Sequence, residues 1–445
     1  MPISYSDPSG GTIKLAVIEL PATGGQTAAR DLVLNPGGPG ESGVGFLEQA
    51  WTSFPPSLRQ VFNLVSFDPR GVGESDPVEC GTPANLRQWL AFNPVPENGT
   101  QIAQLEAEDK AFDQSCAKSV PRAVLANLST EVTAHDLDRL RQALGQSKLD
   151  YLGFSYGTYL GSLYAQTFPD KVGALVLDGA VDPSLGMASQ DSEQAASFQV
   201  DLDDFFKWCS GDSACTTELP DPASDFADLV NKAEHTTTIV ADVAPALGGQ
   251  TIVNFALAET GVIASLYSIN TWPELGEAIS QALQGNGTLL DQLALQYAGF
   301  NANGTASNAI AAETAIFCLD HPPPAVAAYP SLATAFAKAS PTFGPSEAWS
   351  TLPCNYWPVR PTGKPMTLHL PAPLHILVVG STHDPATPYA WARALTDQLA
   401  GARLLTRSGD GHTGYFSSSC VQEWVDNFLQ DLHTPPVGTV CASDG

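Results

Sequence analysis

Basic residues are scarce in this 445-residue chain: 20 lysines and arginines stand against 47 aspartates and glutamates, a formal charge of −27 at pH 7. So acidic a protein repels phosphate backbones and anionic membrane surfaces, which makes nucleic acid an unexpected partner. Long apolar runs are missing too. No stretch of about eighteen apolar residues occurs, so no membrane span is expected, and the opening MPISYSDPSGG has neither the basic nor the apolar region of a signal peptide. The chain as given therefore reads as soluble. There is no C-x-x-C pair and no cysteine beside the histidine singled out below, which argues against zinc and thiol redox chemistry. No internal repeat is found.

What is present is a nucleophile elbow. Gly153-Phe154-Ser155-Tyr156-Gly157 follows a β-branched and aromatic run and precedes a helical pattern. A strand that turns abruptly into a helix holds its serine in a strained conformation, and the residues two before and two after must be nearly free of side chain. Chance also produces G-x-S-x-G in glycine-rich chains, so context decides. Residues 374–380 read as a buried strand running into Ser381-Thr382-His383-Asp384-Pro385, where Asp384 stands at a strand's carboxyl end as a catalytic acid would. The competing reading of Asp384 is a cap for the helix starting near Pro388. A further strand at 402–407 leads into the glycine-rich loop that carries His412. Ser155, Asp384 and His412 thus follow the chain order of an α/β-hydrolase triad. Asp178 and Asp182 are the fallback acids.

The loop Asn35-Pro36-Gly37-Gly38-Pro39-Gly40 follows an apolar strand and exposes unobstructed N–H groups. Acyl transfer needs such donors aimed at the developing oxyanion, so the hole is assigned to the N–H groups of Gly38 and Tyr156. A phosphate-cradling loop is the competing reading, set aside because neither a G-x-G-x-x-G nor a G-x-x-x-x-G-K-[ST] pattern is read in it.

These residues resemble the secreted tripeptidyl aminopeptidase group of the prolyl-aminopeptidase-like α/β-hydrolases. The matching stretches are LNPGGPGESG at 34–43, SFDPRGVGESDP at 66–77, GFSYGTYLGSLYAQTFPDKVGALVLDGAVDP at 153–183, GSTHDPATP at 380–388 and GDGHT at 409–413. The likeness covers nearly the whole chain and is weakest from about residue 187 to 315. Where the family usually has a small residue after GGPG, this chain has Glu41. That puts a carboxylate beside the presumed hole and leaves the charge preference of the substrate open.

The resemblance implies an α/β fold, an α/β-hydrolase core with a mostly parallel sheet, from residues 1–183 and 371–445. Residues 184–370 are expected to form a mainly helical cap with proline-rich connectors, inserted after the sixth core strand and returning before the seventh. Strand patterns at 12–19, 31–34, 63–67, 149–154, 174–178, 374–380 and 402–407 alternate with helical ones, which agrees. The eight cysteines fall as sequence neighbours, 80 with 116, 209 with 215, 318 with 354 and 420 with 441, and pairing them so resembles the family's pattern. Eight free thiols in a cytosolic enzyme is the other reading. If the pairs form, the protein matured in an oxidising compartment, with its signal peptide absent from this chain. Sequons at Asn98, Asn127, Asn286 and Asn303 lend weak support.

The expected function is release of short peptides, tripeptides above all, from free N-termini by a serine exopeptidase, with no metal or organic cofactor implied. Asp320, beside a family-like cysteine, is the expected holder of the substrate's ammonium. An ordinary helix-capping aspartate is its alternative reading. The alternative activity is that of an esterase, lactonase or amide hydrolase on a small acyl substrate, and a catalytically idle binding protein is the reading from outside the enzymes.

Overall fold

The computed structural model describes residues 1–25 and 30–444. Its strands are β1 (Val17–Leu20), β2 (Arg30–Asn35), β3 (Phe62–Phe67), β4 (Leu149–Phe154), β5 (Val172–Asp178), β6 (Val240–Asp242), β7 (Gln250–Ile252), β8 (His375–His383), β9 (Arg403–Asp410) and β10 (Val440–Ala442). Eight of them form one sheet in the order β1-β3-β2-β4-β5-β8-β9-β10, while β6 and β7 pair as a separate hairpin. Only β1 runs antiparallel in the large sheet. The central strands are apolar along their length because helices cover both faces. Along β2, Leu32 and Leu34 pack with Leu152, Val176 and Val379 on one face, while Val33 packs with Val65, Tyr151 and Leu175 on the other. That is the period-two alternation of a pleated strand.

The strand order reverses at β2. The chain goes from β2 outward to β3 and then returns to β4 on the other side, so the loops after β2 and β4 open side by side at the carboxyl edge. Ligands of open α/β sheets bind at such a switch point. Register carries the loops together: Asn35 lies opposite Gly153, Phe154 opposite Asp178, and Asp178 opposite Val379.

Between β5 and β8 the chain builds helices Met187–Gly211, Pro222–His235, Phe255–Leu266, Trp272–Leu283, Thr288–Tyr297 and Ala309–Asp320, with the hairpin among them. The first five share a core of their own around Phe198, Phe205, Leu257, Trp272 and Ile279, while Ala309–Asp320 packs into the core of the sheet. The insertion leaves after the fifth strand, not the sixth, because only five strand-forming runs precede Asp178. Two helices from the first part of the chain, Pro83–Leu90 and Gly99–Ser119, join it, and a buried Arg87–Asp291 ion pair ties the two parts. The four sequence-neighbour disulfides form: Cys80–Cys116, Cys209–Cys215, Cys318–Cys354 and Cys420–Cys441.

Candidate active site

Ser155 sits between β4 and helix Tyr156–Thr167 at φ 53°, ψ −124°, a conformation that L residues seldom adopt. Neighbours over-determine it. Its N–H donates to Asp178 O at 2.8 Å, and its carbonyl accepts from the N–H and the hydroxyl of Thr158 at 2.8 and 2.6 Å. Gly157 is required by close approach: a Cβ there would meet Asn35 Oδ1 at 2.7 Å and Asn35 O at 2.9 Å. The elbow is thus pressed directly onto the end of β2.

The loop after β2 answers it. Gly37 has φ 109°, and a Cβ on it would lie 2.7 Å from Phe154 O and 2.9 Å from Ser155 Cβ. Among the described residues, neither Gly38 N–H nor Tyr156 N–H has a hydrogen-bond acceptor. Residues 38–43, Gly38-Pro39-Gly40-Glu41-Ser42-Gly43, do spell G-x-G-x-x-G, so the absence of that pattern is corrected. The helix that follows, Gly43–Ala50, is nonetheless closed to phosphate: Ser42 Oγ accepts from Gly45 N–H at 2.9 Å, and Asp68 Oδ1 accepts from Val44 N–H at 3.0 Å and from Ser42 Oγ at 2.6 Å. A carboxylate already occupies the positive end of that helix. This is the structural use of the SFDPRG stretch, whose Arg70 is clamped by Asp136 at 2.6 and 2.7 Å.

Asp384 and His412 meet at the ends of β8 and β9. Asp384 is buried, and its Oδ1 accepts from His412 Nδ1 at 2.8 Å, Thr387 N–H at 2.8 Å and Ala386 N–H at 3.1 Å. It holds the local turn and the imidazole at once, and it does not cap helix Tyr389–Gln398, whose N-cap is Pro388 with no side-chain hydrogen bond. Burial opposes charging of His412, but the adjacent Asp384 carboxylate outweighs it and holds the ring above the usual histidine range. Its Nε2 is buried and has no hydrogen-bond partner among the described residues, not even Ser155 Oγ. The fallback acids do other work. Asp178 accepts from Gly414 N–H at 2.8 and 3.0 Å and from Tyr415 N–H at 2.8 Å, anchoring the loop behind His412. Asp182 takes Ser184 N–H and Gln398. A support missed in the sequence is Tyr267, from the inserted segment: its carbonyl accepts His412 N–H at 2.8 Å, and its ring stands edge-on to the imidazole, centroids 5.3 Å apart.

A cavity of about 390 Å³ opens over Ser155, reaching Gly38, Tyr156, Thr387 and the inserted segment. Five carboxylates line it, Asp191, Glu259, Glu313, Asp320 and Glu347, and no lysine or arginine does. Glu313 and Glu347 make no side-chain hydrogen bond among the described residues, and burial pushes each up to about 7, with Glu41 and Glu347 adding to the rise at Glu313. Glu313 exposes its side chain to the cavity although it lies deep in the protein. Glu41 also reaches this cluster, and its pKa is raised by burial, against a smaller lowering from His412.

Asp320 lies on the cavity wall, but its oxygens are already engaged. Oδ1 accepts Thr130 N–H at 2.8 Å and Oδ2 accepts Thr130 Oγ1 at 2.5 Å, so it caps helix Thr130–Ala143 from across the cavity. The Thr130 hydroxyl also meets Tyr156 OH at 2.5 Å, so this chain of contacts steadies the residue beside the nucleophile. Asp320, the expected ammonium holder, is thus already engaged, whereas Asp191, Glu313 and Glu347 have no side-chain hydrogen-bond partner among the described residues.

Residues 32–218 match the family described as "alpha/beta hydrolase fold" and residues 340–441 the one described as "TAP-like protein". Over 99% of this chain and 86% of its own length, the serine protease Hip1 of Mycobacterium tuberculosis is 35% identical. The chain belongs to the TAP-like α/β-hydrolases. Within this family it is 34% identical to carboxylesterase B of M. tuberculosis, over 99% of the chain and 85% of that protein. It is 30% identical to the tripeptidyl aminopeptidase of Streptomyces lividans, over 99% and 82%. As a TAP-like α/β-hydrolase the chain is a serine hydrolase, and no described helix is long and apolar enough to cross a membrane.

Proposed function

We propose that this protein is an extracytoplasmic serine aminopeptidase that takes short peptides, tripeptides above all, from free N-termini. Ser155 Oγ attacks the scissile carbonyl while His412 Nε2 takes its proton; Asp384 fixes the tautomer through Nδ1 and stabilises the imidazolium. The N–H groups of Gly38 and Tyr156 receive the oxyanion, and their lack of any competing acceptor supports that role. His412 then protonates the leaving amine, and water repeats the attack on the acyl-enzyme. No step calls for a metal or organic cofactor.

The observation that carries the peptide reading is the cavity wall, which holds five carboxylates and no lysine or arginine. A buried carboxylate without a partner is costly, and a bound ammonium offsets that cost by a charge-assisted hydrogen bond. Glu313 and Glu347 are assigned to this ammonium, and the inserted segment, 184–370, acts as the cap that fixes its distance from Ser155. An uncharged ester would leave the acids unmatched. Two of the relatives, named as a protease and a tripeptidyl aminopeptidase, agree, while carboxylesterase B bears the name of the alternative; the four disulfides fit an oxidising compartment.

The test is a panel of chromogenic amides of one, two and three residues, with free and acetylated N-termini, beside simple acyl esters. The free tripeptide amide is expected to have the highest kcat/KM. Equal turnover of free and acetylated peptides, or faster turnover of the esters, would replace this reading with that of an esterase or endopeptidase.

A further inference from the structure

A second group of chemistry-bearing side chains lies outside the cavity over Ser155. Asp204 on helix Met187–Gly211, His383 at the end of β8 and Asp410 at the end of β9 present ligand atoms that all lie within 4.8 Å of one another. His383 Nδ1 is 2.7 Å from Asp410 Oδ1 and 3.0 Å from Asp204 Oδ2. Two carboxylates thus converge on one ring nitrogen that offers at most one N–H. Beside them is an open pocket of about 570 Å³ that also touches Trp208 and Trp272.

An acidic cluster alone carries little, but Asp201 adds an independent observation. It lies one helical turn before Asp204, it is fully buried, and neither of its oxygens has a hydrogen-bond partner among the described residues. The nearest donor, Gly411 N–H, is already bonded to His383 O at 2.9 Å. After the effect of its own burial, the charges that act most on Asp201 are those of Asp410, Asp384 and Asp204. Among the lysines and arginines of the described residues only Lys207 pairs with the cluster, at 2.6 Å from Asp204 Oδ1, while Arg407 donates to Ser381 and to the carbonyls of Asp410 and Gly411. Asp204 and Asp410 thus bring two carboxylates to the His383 ring, with one lysine beside them.

We propose that Asp204, His383 and Asp410, backed by Asp201, bind one divalent transition-metal ion such as Mn²⁺ or Zn²⁺. Imidazole with carboxylates suits these ions, whereas calcium prefers oxygen ligands alone. Ligand atoms around a tetrahedral ion stand about 3.4 Å apart, so the side chains need only small shifts. The site is one of position, not of chemistry. His383 precedes Asp384 directly and Asp410 is two residues before His412, so the ion would fasten helix Met187–Gly211 to both loops that carry the acid and the base.

The full chain, stripped with EDTA and dialysed, is titrated with Mn²⁺ while free Mn²⁺ is counted by electron paramagnetic resonance and tryptophan emission is followed. One Mn²⁺ per chain is expected, with quenching of Trp208 and Trp272, and Zn²⁺ should raise the thermal midpoint more than Ca²⁺ does. Asp204→Asn, at a partly exposed position, should keep its fold yet bind Mn²⁺ at least about tenfold more weakly, the loss typical of removing even an outer partner. Absence of Mn²⁺ binding and of any Zn²⁺ shift in the wild type would overturn the proposal. So would unchanged binding in Asp204→Asn.

Discussion

Glu313→Gln keeps the shape of the side chain and removes its charge, which makes it a direct probe of ammonium recognition. A hydrogen bond to a charged group contributes about 1.5 to 3 kcal/mol. At tenfold per 1.4 kcal/mol, kcat/KM for a free tripeptide amide should fall about 10- to 150-fold. The acetylated peptide has no ammonium to lose, and its rate should stay within about twofold. Stability separates this outcome from simple damage. Glu313 is ionised against its own burial and against Glu41 and Glu347, so the neutral amide should leave the thermal midpoint at pH 8 unchanged or higher. The pH profile gives a third readout. Glu313 and Glu347, each raised to about 7, must be ionised to attract the amine. The kcat/KM of the free peptide should therefore drop as pH falls through about 7, and drop again above about 8 as the substrate amine loses its proton. Assays on both peptides across pH 5 to 9, approximately, check this. An identical loss for free and acetylated peptides would refute the reasoning.

Ser155→Ala should abolish turnover with no loss of thermal stability, as measured by the same amide assay and by calorimetry. Asp384→Asn should lower kcat on the order of 10⁴-fold through the wrong imidazole tautomer, checked by steady-state kinetics. Asp109, Asp113 and Asp201 are raised by burial to about 7, 8 and 9; the stability from their protonated forms is present in acid and lost as pH rises through those values, so the thermal midpoint should be higher near pH 5 than near pH 9. Removing the Cys209–Cys215 bridge, sequence separation 6, should cost about 2 kcal/mol in denaturant titrations, whereas removing Cys318–Cys354, separation 36, should cost about 4.

The parallel strands were legible because both faces of β4 and β5 are buried and their sequences are apolar apart from Asp150 and the terminal Asp178. The elbow, Asp384 and His412 were legible because each follows such a strand. Helix Gly99–Ser119 was not: it buries Asp109 and Asp113 among its apolar residues, which breaks the helical spacing. Helix Ala309–Asp320 hides for the opposite reason, being apolar on nearly every side where it meets the core of the sheet. That concealment extends to the site. Glu313 stands in this helix as one acid among alanines, and nothing short of the folded cavity distinguishes it from a solvated charge. Asp320 drew notice by its place beside Cys318, yet sequence neighbours could not reveal Thr130 as its partner, 190 residues away. The cluster of Asp204, His383 and Asp410 is equally invisible along the chain, since a helix and two strand ends supply it.

The Tyr267 carbonyl that accepts the His412 N–H has a consequence for exchange of parts between relatives. Selectivity in this architecture is not a detachable module. A foreign insertion grafted between β5 and β8 brings its own cavity but no assurance of an acceptor above the base, and the histidine loop would then lose one of the few bonds that aim it. Chimeras that swap residues 184–370 wholesale should thus come out slow on every substrate, whereas those that keep the Tyr267 turn and exchange only the wall around Glu313 and Glu347 should change preference at preserved rate.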